Sequence, residues 1–402
     1  TAQVLNEWMD PRWIATRAFG TPTQEERERP RYWRFWRELP PAGSIGILLS
    51  AWYSQPLLDC VHGGRQRALD VALDESALFE SHDAQKNRFK KLEKDPHESW
   101  RVTKLDWDHW RRYDDFIATA ERILSRTSTG DAPWHIVEGA DAHYRSLRVG
   151  ELLLAAIRER MARPPAKAPP ATPETTPPAL TEGPSILAGH DMPQELDGKR
   201  YKRHLRSWRG KLNQVHRAAK DKGISTLAVF EGWDAAGKGG AIRRIVSALD
   251  VSAARVYPFA APTDEERAHH YLWRFWRHVP RAGEGALCDG SWYGRVRVER
   301  GGGIASKDEW ERAYAEINHF ERQLAEHGIV LVKFWVHLTQ EEQLRRFQER
   351  EKTPHKRWKL TDEDWRNREK WDAYEAAVHY MVERTSTRLA PWTLVEGDDK
   401  RF

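Results

Sequence analysis

One run in this chain has the residue types and spacing to hold phosphate: Phe230-Glu231-Gly232-Trp233-Asp234-Ala235-Ala236-Gly237-Lys238-Gly239-Gly240. It fits G-x-x-x-x-G-K, in which backbone N–H groups wrap a phosphate and a lysine neutralises it. Two positions depart from the common form. Gly239 stands where a Ser or Thr hydroxyl would reach a magnesium ion, and an acid, Asp234, lies inside the loop. A loop that trades a hydroxyl for a carboxylate must hold its metal differently. A second acid, Asp289, closes the apolar run Gly285-Ala286-Leu287-Cys288. At the carboxyl edge of a parallel sheet it can meet the loop, so that Asp234 and Asp289 supply oxygen ligands to Mg²⁺ while water and phosphate complete the shell.

These residues need elements to carry them. Ser225 to Phe230 has the length and types of a buried strand, and Ala241 to Leu249 is apolar at helical spacing. Strand, glycine turn and helix aim free N–H groups at an anion. Ser306-Lys307-Asp308-Glu309 has capping-box spacing and opens a helix with Trp310, Tyr314, Ile317, Phe320 and Leu324 on one face; Gly328 ends it, and Ile329 to Leu338 follows as a strand. Repeated strand–helix units predict a parallel three-layer α/β/α domain. After the third strand come Arg345, Arg346, Arg350, Lys352, His355, Lys356, Arg357 and Lys359, placed as a cationic helical lid over an anion. Thr361 to Asp364 then starts a helix carrying Trp365, Trp371 and Tyr374.

The chain contains this unit twice. Trp33-Arg34-Phe35-Trp36 recurs as Trp273-Arg274-Phe275-Trp276 at an offset of 240 residues, and Arg126-Thr127-Ser128-Thr129 recurs as Arg384-Thr385-Ser386-Thr387 at an offset of 258. Several tryptophans in fixed order mark a duplicated domain. The copies span 1–162 and 191–402, joined by a Pro/Ala/Thr-rich linker over 163–190. The first copy lacks the loop, because Thr1 aligns with Ala241, and it carries Leu49 where the second has Asp289. Its shortening falls near Leu69 to Phe79, opposite the strand Ile329 to Leu338. It reads as catalytically dead, and its start as truncated or incompletely represented.

Bulk properties agree with a soluble globular protein. The 402 residues suffice for two domains, no apolar run reaches the ~20 residues of a membrane span, and no signal-peptide pattern opens the chain. Two cysteines, Cys60 and Cys288, give no disulfide framework and suit a reducing, cytoplasmic setting as buried core residues. A net charge of +5 from 65 basic and 60 acidic residues favours an anionic partner without requiring one. The 17 histidines form no metal-ligand array. The tryptophans recur at matched positions, so they mark structure rather than nucleic-acid binding.

Gly232 to Gly240, then Asp289-Gly290-Ser291-Trp292-Tyr293-Gly294-Arg295, then the segment Pro354 to Trp365, together resemble the polyphosphate kinase 2 family over Asp191 to Phe402, and in eroded form over Thr1 to Gly139. The tandem layout is similar to the class that phosphorylates nucleoside monophosphates, chiefly AMP to ADP, from inorganic polyphosphate. The resemblance implies tandem P-loop kinase-like domains in which Gly232, Ala235, Ala236, Gly237, Gly239 and Gly240 wrap phosphate with Lys238. It also implies that Asp234 and Asp289 are Mg²⁺-binding catalytic acids, and that Arg350, Lys356, Arg357 and Lys359 grip polyphosphate. The family's usual Arg after the second acid is Gly290 here, so Arg295 or a lid cation is expected to replace it; Glu299 to Gly303 is unusually glycine-rich. A pseudo-dimer within the chain, or a homo-oligomer, is the expected assembly. Two other readings stay open: an ATP-using P-loop nucleotide kinase, and a polyanion-binding pseudoenzyme.

Overall fold

The computed structural model describes residues 2–10, 13–61, 77–79, 81–130, 132–162, 187, 195–250, 252–296 and 307–401. The linker apart from Leu187, the Glu299–Gly303 stretch and Ser306 lie outside them. So do the side chains of Cys60, Lys356 and Lys359. The chain divides into two compact units: residues 1–22 with 38–166, and residues 23–37 with 167–402.

The second unit is a five-stranded, wholly parallel sheet. Its strands are β5 (Thr226–Gly232), β6 (Ala254–Pro258), β7 (Gly285–Asp289), β8 (Val330–His337) and β9 (Trp392–Glu396), in the order β6-β7-β5-β8-β9. The central strand is therefore the one that feeds the glycine loop. Alternation along β5 explains the layers. Leu227 and Val229 join one apolar cluster with the helix stripe Trp310, Tyr314, Ile317, Phe320 and Leu324 and with Tyr374, Val378 and Met381. Ala228 and Phe230 join another with Ile242 and Leu287. Both faces of the sheet are covered, as a parallel sheet requires.

The first unit repeats part of this strand sequence. Its β1 (Ile14–Ala18) pairs in parallel with β2 (Ile45–Leu49), and β3 (Ala77–Phe79) with β4 (Ile136–Glu138), as two separate two-stranded sheets. In repeat register these are β6-β7 and β8-β9 without a counterpart of β5 among the described residues. The counterpart of β8 is described over the three residues Ala77–Phe79. A cavity of about 1170 Å³ runs along β2, lined by Ile45, Ile47, Leu49, Trp52 and Phe116. Both Trp-Arg-Phe-Trp segments belong to the second unit, where Trp36 stacks on Trp276 with ring centroids 5.9 Å apart.

An ionic network anchors the sheet from within. Lys333, on β8, is fully buried, and its Nζ donates at 2.8 Å to Glu321 Oε2, to the Tyr293 hydroxyl and to the Thr385 carbonyl. Glu321 Oε1 accepts from Trp292 Nε1 at 3.0 Å and from the Tyr293 hydroxyl at 2.5 Å. Burial pulls the lysine's pKa down and pushes the glutamate's up, each opposed by its partner's charge. Removing one partner strands the other as a buried charge. Glu321→Leu is expected to lower stability by about 3–5 kcal/mol in urea unfolding, with Glu321→Leu/Lys333→Met recovering most of the loss.

Candidate active site

The loop's geometry follows from three unusual backbone positions. Gly232 has φ +152° and packs so closely on β8 that a Cβ there would lie 2.4 Å from the Val336 carbonyl oxygen. Ala235 has φ +64°, a left-handed conformation that costs a residue with a Cβ about 1–2 kcal/mol. Gly237, at φ +107°, is the N-cap of the helix Lys238–Val246 and leaves it without a side-chain cap. The Gly240 N–H, expected to wrap phosphate, instead donates to the Gly237 carbonyl at 2.8 Å, and the uncapped first turn ahead of it is the place for an anion. The helix begins at Lys238, three residues before its sequence-predicted start, because the loop's last glycines are its first turn. Lys238 Nζ bends back to the carbonyls of Gly232 at 2.9 Å and Trp233 at 3.3 Å, at the mouth of the loop.

Parallel register delivers the second acid. Phe230 on β5 pairs with Asp289 on β7. Asp289 Oδ2 lies 3.9 Å from where a Cβ on Gly239 would stand. The loop position that lacks a hydroxyl therefore has a carboxylate beside it. Behind Asp289, Gly290 has φ +77°, and its N–H donates to the Phe230 carbonyl at 3.1 Å. A Cβ at Gly290 would meet the Phe259 carbonyl oxygen at 3.0 Å, so this turn favours glycine whatever the phosphate chemistry. Ser291 Oγ donates to the buried Glu231 at 2.7 Å, tying the acid's loop to the end of β5. Trp292 and Tyr293 extend the tie into the Glu321–Lys333 network.

Asp234 is held from two sides. Asn367 Nδ2 donates to its Oδ2 at 3.0 Å, and Gln343 Nε2 donates to its carbonyl at 3.1 Å. Its neighbour Trp233 stacks on Trp371, centroids 3.9 Å apart, and donates through Nε1 to His337 Nδ1 at 3.0 Å.

The cationic segment is less uniform than its sequence. Arg346 is not a lid residue: it is buried in the helix Gln340–Lys352. Its guanidinium donates to the carbonyls of Ala235 at 2.9 Å, Ala236 at 3.0 Å, Gly397 at 2.5 Å and Asp398 at 3.0 Å. Two of these four carbonyls are the loop's own, while the Ala236 N–H donates to the Trp233 carbonyl at 3.1 Å. Arg345 pairs with Glu342 at 2.6 Å. Arg350 is half-buried near the same helix's end. Arg357 lies in the 3₁₀ turn Pro354–Lys359, its Nε donating to the Glu351 carbonyl at 2.7 Å. Arg295 pairs with Glu309 at 3.1 Å and lies over the Tyr271 ring at 5.3 Å. The structure thus brings Asp234, Lys238, Gly239 and Asp289 to one edge of the sheet, with Arg346 and Asn367 as supports that sequence reasoning missed. A charged helix shows no inward stripe, so Arg346 gave no signal. The predicted helix from Thr361 is two helices, Asp362–Glu369 and Trp371–Thr385, broken at Lys370.

Cys288 is buried on β7, and burial together with the Glu231 charge pushes its thiol up to about 12, so it is a core residue. No described helix is long and apolar enough to cross a membrane.

The polyphosphate kinase 2 family model matches residues 2–80, 77–165 and 195–402. A polyphosphate:AMP phosphotransferase of Pseudomonas aeruginosa is 48% identical over 426 residues, covering 100% of this chain and 84% of that protein. An ADP-polyphosphate phosphotransferase of the same organism is 39% identical over 211 residues, 52% of this chain and 69% of that one. A crystal structure titled as polyphosphate kinase 2 from Pseudomonas aeruginosa superposes with a TM-score of 0.83 at 44% identity, covering 100% of this chain and 83% of that one. The matches run through both copies of the repeat, and the chain belongs to the polyphosphate kinase 2 family.

Proposed function

We propose that this protein transfers the terminal phosphoryl group of inorganic polyphosphate to AMP, giving ADP, with Mg²⁺ held by Asp234 and Asp289. The observation that carries the reading is the Asp289 carboxylate beside Gly239, at the position where the common loop places its hydroxyl. The polyphosphate:AMP phosphotransferases among its relatives span both copies of the repeat and support this donor and acceptor.

The residues fit the ion. No group of three or more His, Cys, Asp or Glu side chains able to hold a metal occurs among the described residues. Mg²⁺ needs no such cage: it is usually bound by one or two carboxylates and completes its octahedron with water and substrate phosphates. When bound it would neutralise charge on the transferring phosphate. The chain's own groups do the rest. The helix amides after Gly237 and the Lys238 ammonium receive the phosphate oxygens. An AMP phosphate oxygen attacks the terminal phosphorus in line, and the bond to the bridging oxygen breaks. The polyphosphate, one unit shorter, leaves with the electron pair. The nucleophile is already anionic, so positioning and charge neutralisation supply the catalysis. Arg350, Lys356, Arg357 and Lys359 hold the donor chain, and Arg295 is the nearest cation in sequence to the Gly290 turn. The copy over 191–402 carries this chemistry, and the copy over 1–162 is non-catalytic. A cytoplasmic location, where AMP is available, suits the reading. The backbone need for glycine at Gly290 removes the strongest motive for a pseudoenzyme.

Asp289→Asn is expected to lower kcat about 100-fold or more with AMP, polyphosphate and Mg²⁺; equal turnover would sink the assignment. Gly290→Arg is expected to lose about 1–2 kcal/mol of stability, read as a fall in Tm, with no gain in kcat. A more active and equally stable variant would show that the missing cation mattered.

A further inference from the structure

We propose that Asn367 is a positioning residue that fixes the Asp234 carboxylate and couples it to the cationic turn Pro354–Lys359, an inference that rests on Asp234 being a metal-binding acid. The orientation of its amide is set by a buried partner. The Tyr374 hydroxyl donates to Asn367 Oδ1 at 2.9 Å, which turns Nδ2 toward Asp234 Oδ2 at 3.0 Å. The flipped amide would set two acceptor oxygens against each other and leave the tyrosine's proton without that acceptor. Tyr374 is only 6% exposed, so this direction is locked from inside the fold.

The result is a carboxylate with one oxygen taken. Among the described residues Asp234 Oδ1 accepts no hydrogen bond, so the network selects which oxygen is presented to a cation. The loop's main chain is held from the same region: Gln343 binds the Asp234 carbonyl, and Arg368 binds Gln343 Oε1 at 3.3 Å and the Gln340 carbonyl at 2.6 Å. Gln343 precedes the turn Pro354–Lys359 and Asn367 follows it, on the helix Asp362–Glu369 that Thr361 caps. Both ends of the cationic segment are therefore fastened to one acid, by its carbonyl and by its carboxylate. A change in what Asp234 binds is felt where the donor's cations are carried. Second partners of metal-binding carboxylates typically change metal affinity or activity 10–100-fold when removed.

Two readouts test this. In native protein with EDTA, amide hydrogen exchange of residues 361–370 measures the tether with no metal present. In steady-state assays, the half-saturating Mg²⁺ concentration measures how well the carboxylate is presented. Asn367→Ala is expected to speed exchange in that segment about tenfold and to raise the Mg²⁺ requirement about tenfold, while KM for AMP stays within about twofold. Tyr374→Phe, which keeps the ring's packing, is expected to move both readouts in the same direction by less. Unchanged exchange and an unchanged Mg²⁺ requirement in both variants would overturn the proposal. Asp234→Asn separates this from the functional reading. Native-like turnover there would remove the metal role, whereas a dead Asp234→Asn beside an indifferent Asn367→Ala would overturn the positioning role alone.

Discussion

The parallel pairing of Phe230 with Asp289 is the constraint on which the second unit depends. It places the end of one strand, which becomes the phosphate loop, next to the end of another, which carries an acid. Parallel strands put both carboxyl ends on one edge, so loop and acid meet without any long connection between them. The close contact of Gly232 with Val336 fixes the loop on its other flank. The loop then turns through positive φ values at Gly232, Ala235 and Gly237. The strain at Ala235 is held by Arg346, whose guanidinium takes four carbonyls at once.

The same constraint explains the contrast between the copies. The first unit keeps both outer strand pairs and loses the central one among its described residues, with Leu49 in the acid's place. Leu49 ends β2 as Asp289 ends β7, so the first copy has no carboxylate at that register position. Both copies carry the aromatic Trp-Arg-Phe-Trp segment, which serves packing, while only the second carries an acid at the Asp289 position. Trp292 and Tyr293 show how the two needs combine: they are core residues, yet through Glu321 and Lys333 they anchor the turn that holds Asp289.

Much of this was legible in the sequence because it depends on local pattern. The β7 run Gly285–Asp289, the buried stripe from Trp310 to Leu324 and the loop with its two acids all rest on periodicity or spacing. What stayed hidden depends on distance in the chain. Arg346 sits among charges on both sides, so nothing marked it as inward until the loop carbonyls were placed around it. Asn367 contacts an acid 133 residues earlier. Gly290 looked like a lost cation because only its φ of +77° reveals the backbone's need for glycine. Lys333 did leave a trace, a single charge inside the apolar strand Val330–His337, but its partner Glu321 lay within a helix rich in other acids.

The central claim is that one site, built from Asp234 and Asp289 in the second copy, holds a divalent cation with phosphate. Electron paramagnetic resonance of Mn²⁺, which shares the oxygen-ligand preference of Mg²⁺, can count it directly in metal-free protein supplied with inorganic tripolyphosphate. The two-acid site predicts one bound Mn²⁺ per chain, lost in Asp289→Asn. Undiminished binding in that variant, or a second ion of equal affinity that survives it, would contradict the assignment.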